Sequence, residues 1–266
     1  MKLSIVLSTF NEEKNMPDFF ENVKDIADEV ILVDGSSKDK TVAIAKEYGA
    51  KIKITDNPPI FLINRQKAID MADDGWLLNL DADERLSPEL KQEIRDKIKD
   101  ISKPLKSSDL NHTSEIAGYW IPRKNLFLGR FLMKGGQYPD CQLRLYRKDK
   151  VHFKLEDVHE QAIVEGKTEY LQNAMLHYPY SNFSHYLKKW NVYNNALADQ
   201  ITKEQKTRNR FQKVIYGFMY LLIKPSHWLF TTYLRHKGFM DGWQGFVFSF
   251  FSALRFPVSY VLYLSK

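Results

Sequence analysis

Four short apolar runs fall within the first eighty residues: 3-LSIVL-7, 30-VILV-33, 51-KIKIT-55 and 76-WLLNL-80. Each is separated from the next by a stretch long enough for a helix. Continuous apolar runs of four or five residues suit strands covered on both faces. The alternating KIKIT suits an edge. Between the runs, Phe19, Phe20, Val23, Ile26 and Ala27 recur at helical spacing after Pro17, a residue suited to a first turn. Lys40 to Tyr48 reads as a short helix closed by Gly49, and Ile60 to Ala72 as a third helix after the break at Pro58-Pro59. Pro88 opens a fourth, to about Lys99. A β-α-β-α-β-α-β-α order implies an α/β fold with a mostly parallel sheet flanked by helices.

Such sheets hold ligands beyond the carboxyl ends of their strands. Three polar clusters are expected there: Thr9-Asn11-Glu12, Asp34-Gly35-Ser36 and Asp81-Asp83-Glu84. The last is the most demanding, because like charges repel and their desolvation is costly. In an extended segment, Asp81 and Asp83 project to the same side. Hard carboxylate oxygens suit Mg²⁺ or Mn²⁺. Taken alone, the pattern also fits a solvated turn, and Thr9 and Asp34 alone would fit turn and capping roles. Glu84 and Arg85 read as the start of the exit turn, pairing with each other or with solvent.

In order and spacing, the segments SIVLSTFNEE, EVILVDGSSKDKT, NRQKA, WLLNLDADERLSPEL and QLRLYR resemble an inverting family 2 glycosyltransferase of GT-A fold. The resemblance covers about residues 1 to 180, and its nearest kind is the glycosyltransferases that extend lipopolysaccharide core sugars. It implies a nucleotide-sugar site of Thr9, Asn11, Glu12, Asp34, Arg65 and Asp81. Asp34 would accept from the uracil N3–H and Glu12 from ribose hydroxyls. It further implies a divalent cation, Mg²⁺ or Mn²⁺, held by Asp83 with Asp81 and completed by His177.

Inverting transfer needs a carboxylate to take the acceptor proton. The segment 155-LEDVHEQ-161 is the richest source of one. By the resemblance, Glu160 is the base, with Asp157 the alternative. Asp140 is a weaker candidate for orienting the acceptor. Arg144 and Arg147 would contact phosphate or pair with acids. A dinucleotide oxidoreductase is disfavoured because no Gly-x-Gly-x-x-Gly follows the first run. A sugar nucleotidyltransferase would want a Gly-rich basic loop where STFNEEKN stands. A catalytically silent, membrane-associated protein that only binds sugar nucleotides is the other alternative.

Charge and aromatic content separate the C-terminal part from the rest. From Lys203 onward, ten Lys/Arg face two acids, a net of +8; the first 202 residues are left at −2 in a chain of +6. Residues 211–223 and 239–264 are the most apolar stretches. The first is short for a bilayer, and the second is interrupted by Asp241, Gln244, Arg255 and Pro257. Aromatic residues mixed with Lys and Arg suit helices lying at an anionic membrane surface. A homodimer through these helices is the competing use of the same apolar surface. A nucleic-acid role does not fit so apolar a tail. Its segment KGFMDGWQGF also resembles relatives of the lipopolysaccharide-core type.

The expected organisation is a GT-A catalytic domain over 1–180 and a helical extension over 181–266. Within the first, a nucleotide-sugar half spans about 1–100 and an acceptor half about 115–180. Residues 101–115 read as a surface loop, and 117-AGYWI-121 and 142-QLRLY-146 as further strands. The single cysteine, Cys141, excludes an internal disulfide. That and an N-terminus read as a strand rather than a signal peptide suggest a cytoplasmic protein, peripheral at the inner face of the cytoplasmic membrane. The expected donor is a UDP-hexose, most simply UDP-glucose, and the expected acceptor a glycolipid or lipopolysaccharide core.

Overall fold

The computed structural model describes residues 1–102, 116–155 and 161–266. The expected loop at 101–115 therefore lies almost wholly outside the described residues, as do Glu156, Asp157, His159 and Glu160. The chain runs β1 (Leu3–Thr9), α1 (Met16–Val23), β2 (Glu29–Asp34), α2 (Thr41–Glu47), β3 (Lys51–Ile54), α3 (Leu62–Met71), β4 (Trp76–Asn79), β5 (Glu84–Leu86) and α4 (Pro88–Ser102). It continues with β6 (Ile116–Ile121), β7 (Arg123–Phe127), β8 (Arg130–Phe131), β9 (Gln142–Arg147), β10 (Val151–His152), β11 (Ile163–Val164), β12 (Lys167–Tyr170) and β13 (Met175–His177). The helices α5 (Phe183–Gln205), α6 (Arg210–Phe218), α7 (Lys224–Leu229) and α8 (Gly242–Leu264) complete it.

Two units are distinguished by their internal contacts. The first comprises Met1–Arg123 and Asp140–His177, the second Lys124–Pro139 and Tyr178–Lys266. Residues 124–139, part of the acceptor half in the sequence reading, group with the C-terminal helices.

The first unit is built on a seven-stranded sheet of order β12-β6-β9-β4-β1-β2-β3. Neighbours are parallel except where β9 runs antiparallel to β4 and β6. Side-chain alternation divides its interior. Ile5, Leu7, Leu32, Trp76 and Leu78 face one side, against Phe19 and Val23 of α1 and Leu90 and Ile94 of α4. Val6, Ile31, Val33 and Leu77 face the other, against Leu62, Ala68 and Ile69 of α3. Burial on both faces explains why these strands are continuously apolar in sequence. It also leaves polar chemistry only at the strand ends.

The second unit is helical and aromatic. Tyr216 stacks on Tyr220 at 4.4 Å, and both join Ile201 and Tyr260 in one buried cluster. Phe127, Leu132 and Tyr186 form another, with Trp190, Phe248 and Phe251 packed against it. Between α6 and α7, and after α7, the helix widens to π-turns at Met219–Ile223 and Phe230–Arg235. Pro225, which has no N–H to donate, lies just after the first widened turn. The KGFMDGWQGF segment forms the entry to α8. A Cβ at Gly245 would lie 1.9 Å from the Gly238 carbonyl oxygen, so this turn closes only on glycine. Asp241, buried, accepts from the Lys134 N–H at 2.7 Å. Among the described residues, Gly238–Leu264 is the one helical segment long and apolar enough to cross a membrane, and only 17% of its most apolar window is buried.

Candidate active site

The carboxyl ends of β1, β2 and β4 converge as the sheet register requires, with Thr9 beside Asp34 and Val6 beside Asn79. The loops after β1 and β2 are tied to each other. Asn11, at φ 57°, donates its N–H to Ser37 Oγ at 2.8 Å and accepts from the Lys38 N–H at 2.8 Å. The Glu12 N–H donates to Thr41 Oγ1 at 2.8 Å, and a Glu12 carboxylate oxygen accepts from Asn15 Nδ2 at 2.6 Å. Asp34 is fully buried. Its carboxylate accepts from Ser37 Oγ at 2.6 Å, the Ser37 N–H at 2.7 Å and Thr9 Oγ1 at 3.2 Å. The carboxylate thus shapes its own turn, and a base edge would have to share it.

At the end of β4 the crowding of acids is compensated by arginines. Arg65, from α3, and Arg144, from β9, bind the two carboxylate oxygens of Asp81, Arg144 at 2.6 Å. Burial alone would raise the Asp81 pKa, but the Arg144 and Arg65 charges outweigh it and hold the carboxyl well below the usual range. Burial pulls the Arg144 pKa down, and Asp81 and Glu84 more than reverse that. Arg65, Asp81 and Arg144 line a polar cavity of about 340 Å³ with Asn79, Arg123 and Gln142.

Glu84 departs from the exit-turn reading. It is fully buried and accepts from Arg144 at 2.8 Å, Arg123 at 3.1 Å and the Asp81 N–H at 2.9 Å. Arg85 donates to the carbonyl oxygens of Ala82, Glu84 and Asn15. The physical reason is strand pairing. In the antiparallel β5–β13 ribbon Glu84 lies opposite His177, and alternation turns Glu84 inward while Asp83 stays in the turn before it. Asp140 binds Arg123 through one oxygen, at 2.7 and 2.9 Å, and accepts from Gln142 through the other. Arg147 pairs with Asp149.

Asp83 and His177 come together, Oδ2 to Nε2 at 3.4 Å, with both side chains half-buried. Each Asp81 carboxylate oxygen is engaged by an arginine. Among the described residues no three His, Cys, Asp or Glu side chains gather in metal-binding proximity. One carboxylate and one imidazole still fit a Mg²⁺ or Mn²⁺ ion that leaves most positions to substrate and water oxygens. Sequence reasoning missed Arg123 entirely and misjudged Glu84. The only local signal for Glu84 was its place beside the other two acids.

The Glycosyl transferase family 2 profile matches residues 4–151, more than half of the chain. The chain belongs to glycosyltransferase family 2. This glycosyltransferase is 30% identical over 258 residues to an uncharacterized glycosyltransferase of Rickettsia conorii, covering 92% of this chain and 84% of that one. It is 27% identical to the lipopolysaccharide core biosynthesis glycosyltransferase LpsC of Rhizobium meliloti, covering 96% of this chain and 92% of LpsC. Among solved structures, the glycosyltransferase is similar to S. aureus TarS 1-349 in complex with UDP, at 14% identity and a TM-score of 0.47 over 100% of this chain and 92% of that one. Another is glucosyl-3-phosphoglycerate synthase from Mycobacterium tuberculosis with Mn²⁺, UDP and glucosyl-3-phosphoglycerate, at 15% identity and a TM-score of 0.38 over 56% and 57%.

Proposed function

We propose that this glycosyltransferase moves a hexose, glucose in the simplest case, from a UDP-sugar to a hydroxyl of a lipopolysaccharide-core or other glycolipid acceptor, with inversion. The observation that carries the reading is the Asp83–His177 pair one turn from the Arg65–Asp81–Arg144 cluster, at the carboxyl end of a central strand. The acceptor oxygen attacks the anomeric carbon as the bond to the departing diphosphate breaks. The acceptor proton passes to a carboxylate, Glu160 by family resemblance and Asp157 otherwise. Arg65 and Asp81 orient the nucleoside end, with Thr9, Asn11, Glu12 and Asp34 shaping its rim. A Mg²⁺ or Mn²⁺ ion held by Asp83 and His177 supplies charge compensation for the diphosphate.

The membrane is the second part of the proposal. In α6, Phe211, Val214, Ile215 and Phe218 are exposed at spacings of three and four, while Tyr216 on the opposite side is buried. In α8 the buried positions include Gly245, Ser249 and Ala253, and the exposed ones include Trp243, Phe246 and Phe250. Small residues inside and large apolar ones outside suit a helix facing lipid. Arg255, also exposed, lies on a different face of α8 from that aromatic stripe, as expected of a helix immersed lengthwise with its cation at the headgroups. The net charge of +8 from Lys203 onward favours anionic lipids, at the inner face of the cytoplasmic membrane.

The test is a transfer screen across UDP-, GDP- and dTDP-sugars with lipopolysaccharide-core acceptors, with and without Mn²⁺. Metal-dependent transfer from a UDP-hexose, lost in Glu160→Gln, is expected. Nucleotide binding without any transfer would favour the silent sugar-nucleotide-binding protein. Vesicle flotation reads the membrane part. Binding to phosphatidylglycerol vesicles should fall in Phe211→Glu/Phe218→Glu, and unchanged flotation would overturn it.

A further inference from the structure

The chain Arg65–Asp81–Arg144–Glu84–Arg123–Asp140 is continuous, and Glu84 is its one fully buried carboxylate. Its Oε1 receives both Arg144 and Arg123. Its Oε2 receives the Asp81 N–H at 2.9 Å, and its own N–H returns to the Asp81 carbonyl at 2.9 Å. The turn 81–84, which carries Asp81 and Asp83, is thus closed by Glu84 on both sides. One nitrogen of Arg144 lies between two carboxylates, 2.6 Å from Asp81 and 2.8 Å from Glu84. Asp81 and Glu84 therefore share one nitrogen of Arg144. Without the Glu84 charge, the buried Arg144 and the partly buried Arg123 would face each other across one neutral side chain, and Arg144 would follow Asp81 alone.

We propose that Glu84 is a positioning residue for the donor nucleotide, acting through Arg144 to aim the Asp81 carboxylate and the turn that bears Asp83. The proposal rests on the reading of this end of the sheet as a nucleotide-sugar site. It separates that geometry from a merely structural ion pair, because the Glu84 charge meets the Asp81 carboxylate across one shared nitrogen of Arg144. A structural role would lower stability and leave the affinity of the folded protein unchanged.

Calorimetric titration of the full chain with UDP, GDP, CMP and dTDP, each with Mn²⁺, distinguishes the two. For whichever nucleotide the wild type binds, Glu84→Gln should weaken binding about tenfold, and in the Arg144→Gln background it should change Kd by less than about twofold. Glu84→Asp, which keeps the charge, should recover part of the loss. Thermal unfolding of the same variants controls for folding. A lower Tm with unchanged Kd in Glu84→Gln, or full additivity in the double variant, would overturn the inference. Preference of the wild type for another nucleotide over UDP would refute only the UDP-donor reading. A wild type that binds none of the four would remove the donor site and this inference with it.

Discussion

Phe19 and Phe246 are the same residue in opposite settings. Phe19, on α1 of the first unit, is fully buried against the sheet, whereas Phe246, on α8 of the second, is 47% exposed. The contrast extends to their surroundings. The first unit buries large apolar side chains and gathers its buried charges, Asp34, Arg65, Glu84 and Arg144, near the carboxyl ends of β2 and β4. The second buries Gly245, Ser249, Ala253 and Ser259 and turns large side chains outward; 18 of the 28 exposed large hydrophobics among the described residues lie between Phe211 and Leu264. This concentration of large exposed apolar side chains is the observation behind the proposed membrane-facing surface. The membrane role proposed for the second unit would account for this contrast, with its exposed aromatic side chains facing lipid.

The comparison breaks most visibly under matched truncation. Phe19→Ala should cost about 3–5 kcal/mol of stability, whereas Phe246→Ala should cost under about 0.5 kcal/mol. Denaturant unfolding in detergent reads both, and equal losses would show that α8 is ordinary core. Next in size is Asp83→Ala, expected to lower transfer by about 10²–10³-fold while leaving the Tm within a few degrees. Intact Mn²⁺-dependent turnover would remove Asp83 from the site. In the second unit, Ser249→Leu places a large side chain where none is tolerated and should destabilise by about 1–3 kcal/mol. The same residue type is welcome one position on, at Phe250, so Phe250→Leu should be nearly neutral in the same unfolding assay.

The smallest effect is electrostatic and belongs to the first unit. Burial alone would raise the Glu29 pKa, but hydrogen bonds from Lys51, Ser4 and Lys2 hold it down to about 2. A carboxyl depressed in the folded state stabilises it above the ordinary carboxylate pKa of about 4.3 and loses that contribution as pH falls toward 2. Both lysines are partly exposed, so screening keeps the contribution near about 1 kcal/mol. Glu29→Gln should therefore destabilise at pH 7, with the gap narrowing at pH 3. A gap that widens on acidification would reverse the sign.

Much of the first unit was legible because its signals are local. The strands at 3–7, 30–33, 51–55 and 76–80 and the helices between them follow from periodicity, and β6 and β9 lie where the apolar runs placed them. The short strands β5 and β13 were not legible, since three-residue elements carry no period, and the hairpin β7–β8 was missed as well. Without β5 and β13 the burial of Glu84 was not foreseeable, and the meeting of Asp83 with His177 was expected only through the family resemblance, not from any local pattern. Arg123 carried no signal at all, since an arginine before KNLF looks like any surface cation.

What the sequence by itself determined is the alternation of strand and helix, the acids at the end of β4 and the basic, aromatic character of the C-terminal part. Each is written in the spacing or the chemistry of neighbouring residues. Only the tertiary structure decided which acid meets which base. Asp81 is claimed by Arg144 from 63 positions away and Glu84 by Arg123 from 39. Such pairings are set by strand order and register, and no local pattern encodes a partner across the sheet.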